Sequence, residues 1–274
     1  MTMASRTVKT REVARSNDTT IRYTLSGPAE GPTLVLTHGW ACHRGDFDAV
    51  TGFLPGDLRV LAIDLAEHGE SRSARDVWTI EEFARDIIAV LAAEKVDRCV
   101  MAGHSLGGAV AVEVGRLLPE VVTHVVALDA LHYLFLYPEV DERQAEAVLE
   151  PFRQDFSGAM RVMVEAGSPE GTEQALKDAY VEKMASVRQP AGLRSLEGLL
   201  DWRMDAVLRA VKQPITLFAV RETITQEAID RYSDRFRIEL VDLGSHHFPV
   251  ESPEGTAGLL AGVMAGVREP RSAG

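Results

Sequence analysis

The stretch Ala102-Gly103-His104-Ser105-Leu106-Gly107-Gly108 decides how this chain is interpreted. An apolar run, Arg98–Met101, precedes it, and a helical pattern, Ala109–Leu118, follows it. A G-x-S-x-G pattern between a strand and a helix is typical of a nucleophile elbow. Such a sharp turn strains the backbone of Ser105, and the flanking glycines avoid a collision because they carry no side chain. The stretch therefore predicts a serine hydroxyl held out above the end of a strand.

Length, charge and cysteine content limit the class of protein. The chain has 274 residues, 46% of them hydrophobic, which is enough for one large core. Its net charge of −12 disfavours binding to a phosphate backbone, so we expect a small, weakly charged substrate and no nucleic acid partner. Its two cysteines, Cys42 and Cys99, lack metal-ligand spacing. We therefore expect neither a disulfide framework nor a metal site.

The apolar segments predict a protein outside the membrane. Met1–Asp18 is polar and lacks the apolar centre of a secretory signal. The longest apolar stretch, Val121–Leu136, is interrupted by His124, Asp129 and His132 and is too polar to span a membrane. The sequence predicts a cytoplasmic location without a membrane partner, and it leaves a monomer and a homodimer equally open.

Strand and helix patterns alternate over most of the chain. Thr7–Ala14 and Thr20–Leu25 alternate like the arms of an antiparallel hairpin. Continuous apolar runs, typical of strands buried in a parallel sheet, follow at Thr33–Thr37, Leu58–Ile63, Val122–Leu128, Ile215–Val220 and Arg237–Val241. Helices are predicted at Phe47–Leu54, Ile80–Glu94, Gln226–Ser233 and from Pro253 onward. This rhythm predicts an α/β fold.

One long segment interrupts the rhythm. From His132 to about Leu208 the strand patterns stop and four amphipathic helical segments take their place. These are Glu139–Glu150, Ser157–Glu165, Thr172–Val187 and Leu193–Arg209. The pattern therefore predicts an α/β core with a single helical insertion.

The motifs, taken in order, resemble those of the α/β-hydrolase fold superfamily. They are His38-Gly39-Trp40, the Asp64–Ser71 loop, Gly103–Gly108 and His247-Phe248. The resemblance implies a mostly parallel central sheet flanked by helices. It also implies that the insertion, residues 132–208, is a helical cap (lid) on a core formed by residues 1–131 and 209–274.

A nucleophilic serine needs a base, and the base needs an acid that orients it. The base candidate is His247, which follows the last predicted strand in a loop able to fold over the sheet edge beside Ser105, although eight histidines compete and His246 is adjacent. In the resembled superfamily the catalytic histidine precedes an aromatic residue. The resemblance therefore favours His247, which stands before Phe248.

Two residues satisfy the chain order serine, acid, histidine. Many members of the superfamily carry the acid in a G-x-x-D segment after the seventh strand. Here that segment, Ala219–Thr223, lacks both the glycine and the aspartate, and Glu222 lies one residue early. Some lactonases, dehalogenases and cofactor-free dioxygenases of this fold place the acid after the sixth strand, where Asp129 stands. The sequence favours Asp129, with Glu222 as the alternative acid.

The oxyanion formed in acyl transfer requires two fixed donors. The backbone N–H of Leu106 is one candidate, and the usual geometry of the resembled fold supplies the N–H of Trp40 as the other. The Trp40 side chain, His38, Leu131 and Tyr133 are candidate substrate-binding residues, although His38 also suits a loop-ordering hydrogen bond.

These expectations converge on a serine hydrolase that cleaves a small carboxylic ester or lactone through an acyl-enzyme on Ser105, without metal or cofactor. Two alternatives remain open. One is a cofactor-free dioxygenase of the same fold that uses His247 and Asp129. The other is a ligand receptor that keeps a hydrolase-like pocket.

Overall fold

The computed structural model describes residues 6–15, 18–132 and 139–268. Within these residues, eight strands form one sheet in the order β1-β2-β4-β3-β5-β6-β7-β8. The strands are β1 (Val8–Arg15), β2 (Thr19–Ser26), β3 (Thr33–Thr37), β4 (Arg59–Ile63), β5 (Cys99–His104), β6 (Val122–Leu128), β7 (Ile215–Val220) and β8 (Phe236–Val241). Strand β2 is antiparallel to β1 and β4, and the other pairs are parallel. The predicted mostly parallel α/β sheet is confirmed.

Along the chain, at least one helix follows each strand from β3 to β8. The helices are α1 (Asp48–Phe53), α2 (Ile80–Ala93), α3 (Leu106–Leu117), α4 (Glu142–Gln154), α5 (Phe156–Gly167), α6 (Gln174–Ala185), α7 (Ala191–Leu200), α8 (Met204–Leu208), α9 (Gln226–Tyr232), α10 (Phe248–Glu251) and α11 (Pro253–Arg268). A 3₁₀ turn at Arg44–Phe47 precedes α1. In the described part of the chain, no helix combines the length and the hydrophobicity needed to cross a membrane.

The sheet separates two apolar cores. Val35 of β3 belongs to the core shared with α2 and α3, whereas its neighbours Leu34 and Leu36 belong to the core shared with α1 and α11. Because successive side chains of a strand point to opposite faces, a strand covered on both faces must be apolar throughout. This requirement explains the continuous apolar run of β3, in which all five residues are buried.

Helices α4 to α8 lie between β6 and β7 in the chain, and we call them the inserted helices. The single helix predicted at Leu193–Arg209 is wrong, because the chain turns between α7 and α8. At this turn Trp202 is buried, and its indole Nε1 donates a 3.3 Å hydrogen bond to Glu113 of α3. The anchor on α3 accounts for the break. The division of the chain into a core and a cap stays a prediction.

Parallel pairing brings the ends of three strands together. The N–H of Ser105, after β5, donates to the carbonyl of Leu128 at the end of β6 (3.2 Å). The N–H of Asp129, after β6, donates to the carbonyl of Phe218 in β7 (2.8 Å). The side chains that follow β5, β6 and β7 therefore meet at the carboxyl edge of the sheet.

Candidate active site

Ser105 occupies the sharp turn between β5 and α3, with φ 53° and ψ −122°. A Cβ added to Gly103 would lie 1.9 Å from the Gly107 carbonyl oxygen, and one added to Gly107 would lie 2.4 Å from that of Thr37. Both distances are far shorter than a van der Waals contact, so only glycine fits at either position. The strained conformation at Ser105 agrees with the nucleophile elbow that the sequence predicts.

Asp129 ends β6 in the left-handed region, with φ 43°, and is fully buried. Its Oδ1 accepts hydrogen bonds from the N–H of Val220 (2.8 Å) and the hydroxyl of Thr223 (2.9 Å). Its Oδ2 lies 2.8 Å from Nδ1 of His246. Since an ionised carboxylate only accepts, the proton of this last bond belongs to His246. Each carboxylate oxygen therefore has a different partner.

The surroundings of Asp129 favour its charged form. Burial raises the pKa of this carboxyl, but the hydrogen bond and charge of His246, the charge of His132 and the N–H of Val220 together hold it below its ordinary value. Asp129 is therefore a carboxylate at neutral pH.

The histidine beside Asp129 is His246, so the preference for His247 is corrected. The His247 ring is buried and stacks on Tyr180 of α6, with ring centroids 4.2 Å apart. Neighbouring side chains in this loop point in different directions, and Phe248, which follows, is fully buried in the core against α11. Burial lowers the pKa of the His247 imidazole well below its ordinary value, and the charges of nearby histidines and Lys183 lower it further. The His247 ring is therefore uncharged at neutral pH, and it also lines the cavity beside Ser105.

His104, the residue before Ser105, holds the backbone of His246. Its Nε2 lies 2.7 Å from the His246 carbonyl oxygen, so Nε2 carries the proton. Burial, followed by the charge of His246, lowers the pKa of His104 to about 3. The ring consequently stays neutral over the pH range in which proteins are usually assayed.

The alternative acid, Glu222, lies away from this cluster. Its side chain is exposed, and it does not line the cavity beside Ser105. The next residue, Thr223, turns inward to Asp129 instead. The geometry therefore agrees with the preference for Asp129 over Glu222.

A largely apolar cavity of about 90 Å³ opens beside Ser105. Predicted site residues Trp40, Leu106 and Leu131 line it, and Tyr133 lies outside the described residues. The inserted helices contribute apolar side chains, namely Met163, Val164, Met184, Leu196 and Leu199. Neither the Trp40 N–H nor the Leu106 N–H donates a hydrogen bond within the described residues, so both donors are available.

Trp40 and His38 have different roles although they are two residues apart. The Trp40 indole donates a 2.7 Å hydrogen bond to the Gly192 carbonyl of α7 and so ties the site to an inserted helix. His38 lies outside the cavity lining: Nδ1 faces the Gly39 carbonyl (2.8 Å) and Nε2 accepts from the Leu65 N–H (3.0 Å). Both ring nitrogens of His38 therefore order the loop, and its expected contact with substrate stays a prediction.

Comparison with known proteins assigns the family. Residues 34–259 match the model of a family described as the alpha/beta hydrolase family. The chain belongs to this family. A serine hydrolase-like protein of Danio rerio is 36% identical over 124 residues, which cover 44% of this chain and 37% of that protein. A pimeloyl-[acyl-carrier protein] methyl ester esterase of Methylococcus capsulatus is 30% identical over 193 residues, 68% of this chain and 74% of that enzyme.

Solved structures of alpha/beta hydrolases agree at the level of the fold. An esterase from Thermogutta terrifontis, solved with malate bound, superposes with a TM-score of 0.79 over 97% of this chain and 100% of that one. The two sequences are 19% identical, so this likeness concerns the fold alone. The chain spans less than two thirds of the length of the first curated relatives that it matches, 37% and 56%.

Three contacts of the site in this alpha/beta hydrolase are not predicted by its sequence motifs. Thr223 is the third residue after β7, in the segment where the resemblance leads one to look for an acid, so its position was a usable signal. His104 occupies an x position of the G-x-S-x-G pattern, so the pattern predicts no role for it. The stacking of Tyr180 on His247 had no sequence signal, because it joins an inserted helix to the loop after β8.

Proposed function

We propose that this chain is a serine hydrolase that cleaves a carboxylic ester or lactone of a small molecule through an acyl-enzyme on Ser105. The 2.8 Å contact between Asp129 Oδ2 and His246 Nδ1, on the cavity that Ser105 also lines, carries the proposal. Because Asp129 binds Nδ1, we assign the other ring nitrogen, Nε2, to the proton of the serine hydroxyl. Membership of the alpha/beta hydrolase family supports the same reading.

The reaction proceeds in two halves that use the same groups. Ser105 Oγ attacks the carbonyl carbon while His246 Nε2 takes the hydroxyl proton. The N–H groups of Trp40 and Leu106 stabilise the oxyanion of the tetrahedral intermediate. His246 then returns the proton to the leaving alcohol oxygen, and the acyl group stays on Ser105. A water molecule, deprotonated by His246, then attacks the acyl carbon, the bond from that carbon to Ser105 Oγ breaks, and His246 returns the proton to Ser105. In a lactone the acid and the alcohol remain one molecule.

Asp129 orients His246 and stabilises its charge. A carboxylate at Nδ1 fixes the tautomer in which Nε2 carries the lone pair and can accept a proton. It also attracts the imidazolium that forms when Ser105 loses its proton. The lowered pKa of Asp129 supports this role, because a protonated carboxyl would offer no charge to the imidazolium.

The lining of the cavity favours an uncharged substrate. Its side chains are mostly apolar, and no lysine, arginine or glutamate is among the described residues that line it. Burying a free carboxylate or phosphate there would cost on the order of several kcal/mol, because the charge would lose its hydration without gaining an opposite charge. We therefore infer that a neutral acyl group binds against the inserted helices.

A fluorophosphonate probe followed by intact-mass measurement tests the proposal directly. We expect one probe per chain on the wild type and none on Ser105→Ala. In His246→Gln both labelling and 4-nitrophenyl butyrate hydrolysis should fall by about 10³-fold or more, because the serine loses its base. His247→Gln is the matched control at the adjacent position. It should keep the labelling rate within about 10-fold of the wild type, since the contact between Asp129 and His246 stays in place.

Each opposite result has a definite meaning. If His247→Gln abolishes labelling and His246→Gln does not, His247 is the base and the assignment made here is wrong. If the wild type resists a probe small enough for the cavity, the hydrolase proposal fails. Oxygen uptake with a hydroxyquinolone would then test the dioxygenase alternative, and ligand binding by Ser105→Ala would test the receptor alternative.

A further inference from the structure

Thr223 is the described residue that links the end of β7 to the buried acid through its side chain. Its hydroxyl lies 2.9 Å from Asp129 Oδ1, and it also lines the cavity beside Ser105. The backbone N–H of Val220 approaches the same oxygen at 2.8 Å. Two donors from the end of β7 therefore hold Oδ1, while Oδ2 faces His246.

The single proton of the Thr223 hydroxyl has three acceptors within reach. They are Asp129 Oδ1 at 2.9 Å, the Val220 carbonyl at 2.9 Å and Nε2 of His132 at 3.1 Å. His132 Nδ1 lies 3.0 Å from the Ala130 carbonyl, so Nδ1 carries the ring proton and Nε2 of the neutral ring accepts. The carboxylate is the one charged acceptor, and hydrogen bonds to a charged acceptor are the stronger ones. The hydroxyl proton therefore goes to Asp129.

We propose that Thr223 is a positioning residue that locks the Asp129 carboxylate by Oδ1 and thereby aims Oδ2 at His246. The inference rests on the proposed function of Ser105, His246 and Asp129. The Val220 N–H also binds Oδ1, so Thr223 supplies the second of two donors to this oxygen. Without the hydroxyl, one backbone donor remains on Oδ1 and the carboxylate is less restrained about its bond to Cβ.

The test compares three substitutions at one position. Thr223→Val replaces the hydroxyl by a methyl group and keeps the shape of the side chain. Thr223→Ala removes both the hydroxyl and the γ-methyl group, and Thr223→Ser removes the methyl group but keeps the hydroxyl. We expect kcat and the fluorophosphonate labelling rate of the Val and Ala variants to fall by about 10-fold to 100-fold, the effect of losing a hydrogen bond to a charged group. KM should stay within about 2-fold, because Asp129 acts through His246 and not on the substrate. Thr223→Ser should recover activity to within about 3-fold of the wild type.

A spectroscopic readout separates positioning from packing. The proton shared by His246 Nδ1 and Asp129 Oδ2 should give a low-field ¹H NMR resonance that is absent from His246→Gln. In Thr223→Val and Thr223→Ala this resonance should shift or broaden, and in Thr223→Ser it should stay in place. Thermal unfolding of all three variants shows whether a loss of activity comes from a loss of folded protein.

Three outcomes would overturn the inference. They are full kcat with an unchanged resonance in Thr223→Val, a loss that Thr223→Ser does not restore, and a rise in KM at constant kcat, which would make Thr223 a substrate contact. Failure of the proposed function has a different signature, because the wild type itself would then resist the probe. If the wild type is labelled at Ser105 and His246→Gln is not, but Thr223→Val reacts normally, only the role of Thr223 is refuted.

Discussion

Replacing His68 by asparagine should make the free energy of unfolding depend less on pH between pH 7 and pH 5. His68 lies in the loop after β4 and is buried, with 1% of its surface exposed. Its Nδ1 donates to the Ala66 carbonyl (3.0 Å), and its ring meets Phe83 edge-on, with centroids 6.2 Å apart. Burial lowers the pKa of His68 from 6.5 to about 4, although the Ala66 carbonyl and nearby acids raise it slightly. The folded chain therefore keeps this ring neutral where the unfolded chain protonates it.

The sign and size of the effect follow from this difference. The contribution of His68 to stability is complete above pH 6.5 and is lost as the pH falls towards 4, because only the unfolded chain takes up the proton in that window. Between pH 7 and pH 5 the loss amounts to about 2 kcal/mol of unfolding free energy. His104, whose pKa burial lowers to about 3, should add a loss of similar size.

Urea unfolding at pH 7, 6 and 5 measures this term. Asparagine can keep the donor to Ala66 but does not titrate, so the wild type should lose about 2 kcal/mol more than His68→Asn between pH 7 and pH 5. Phe83→Leu is the matched control, because it disturbs the same ring contact without removing a titrating group. It should lower stability at every pH by a similar amount and leave the pH dependence as in the wild type. Equal pH dependence of the wild type and His68→Asn would refute the reasoning.

Two further substitutions test the candidate site. Asp129→Asn keeps the volume of the side chain but removes the charge beside His246, so kcat for ester hydrolysis should fall by about 10⁴-fold while KM changes little. Steady-state kinetics at pH 7 would measure both constants. A variant with a kcat near that of the wild type would exclude Asp129 as the acid. Gly107→Ala would put a methyl group 2.4 Å from the Thr37 carbonyl oxygen, and this backbone atom can move away only if the end of β3 shifts. It should lower the unfolding free energy by about 3 kcal/mol or more and abolish Ser105 labelling, and urea unfolding with intact mass would reveal either failure.

Much of the fold and part of the site could be predicted because they depend on local sequence. Continuous apolar runs such as Thr33–Thr37 can be buried only between two layers of helices, and all five residues of that strand are buried. The glycines around Ser105 indicate a turn in which a Cβ at positions 103 and 107 would collide with the backbone, and such a turn depends on local sequence. The preference for Asp129 over Glu222 followed from a missing motif, and Asp129 lies against a histidine, whereas Glu222 is exposed.

Contacts between segments that are far apart along the chain could not be predicted from the sequence. His246 and His247 are adjacent, so no spacing rule separates them, and the motif that favoured His247 describes the chain around the loop and not its torsion angles. In the structure, Tyr180 from an inserted helix stacks on one ring and Asp129 from β6 binds the other. These partners lie 67 and 117 residues away along the chain. The sequence by itself determined the turn that presents Ser105, and only tertiary packing decided which histidine faces the acid, because that choice depends on side chains from other elements.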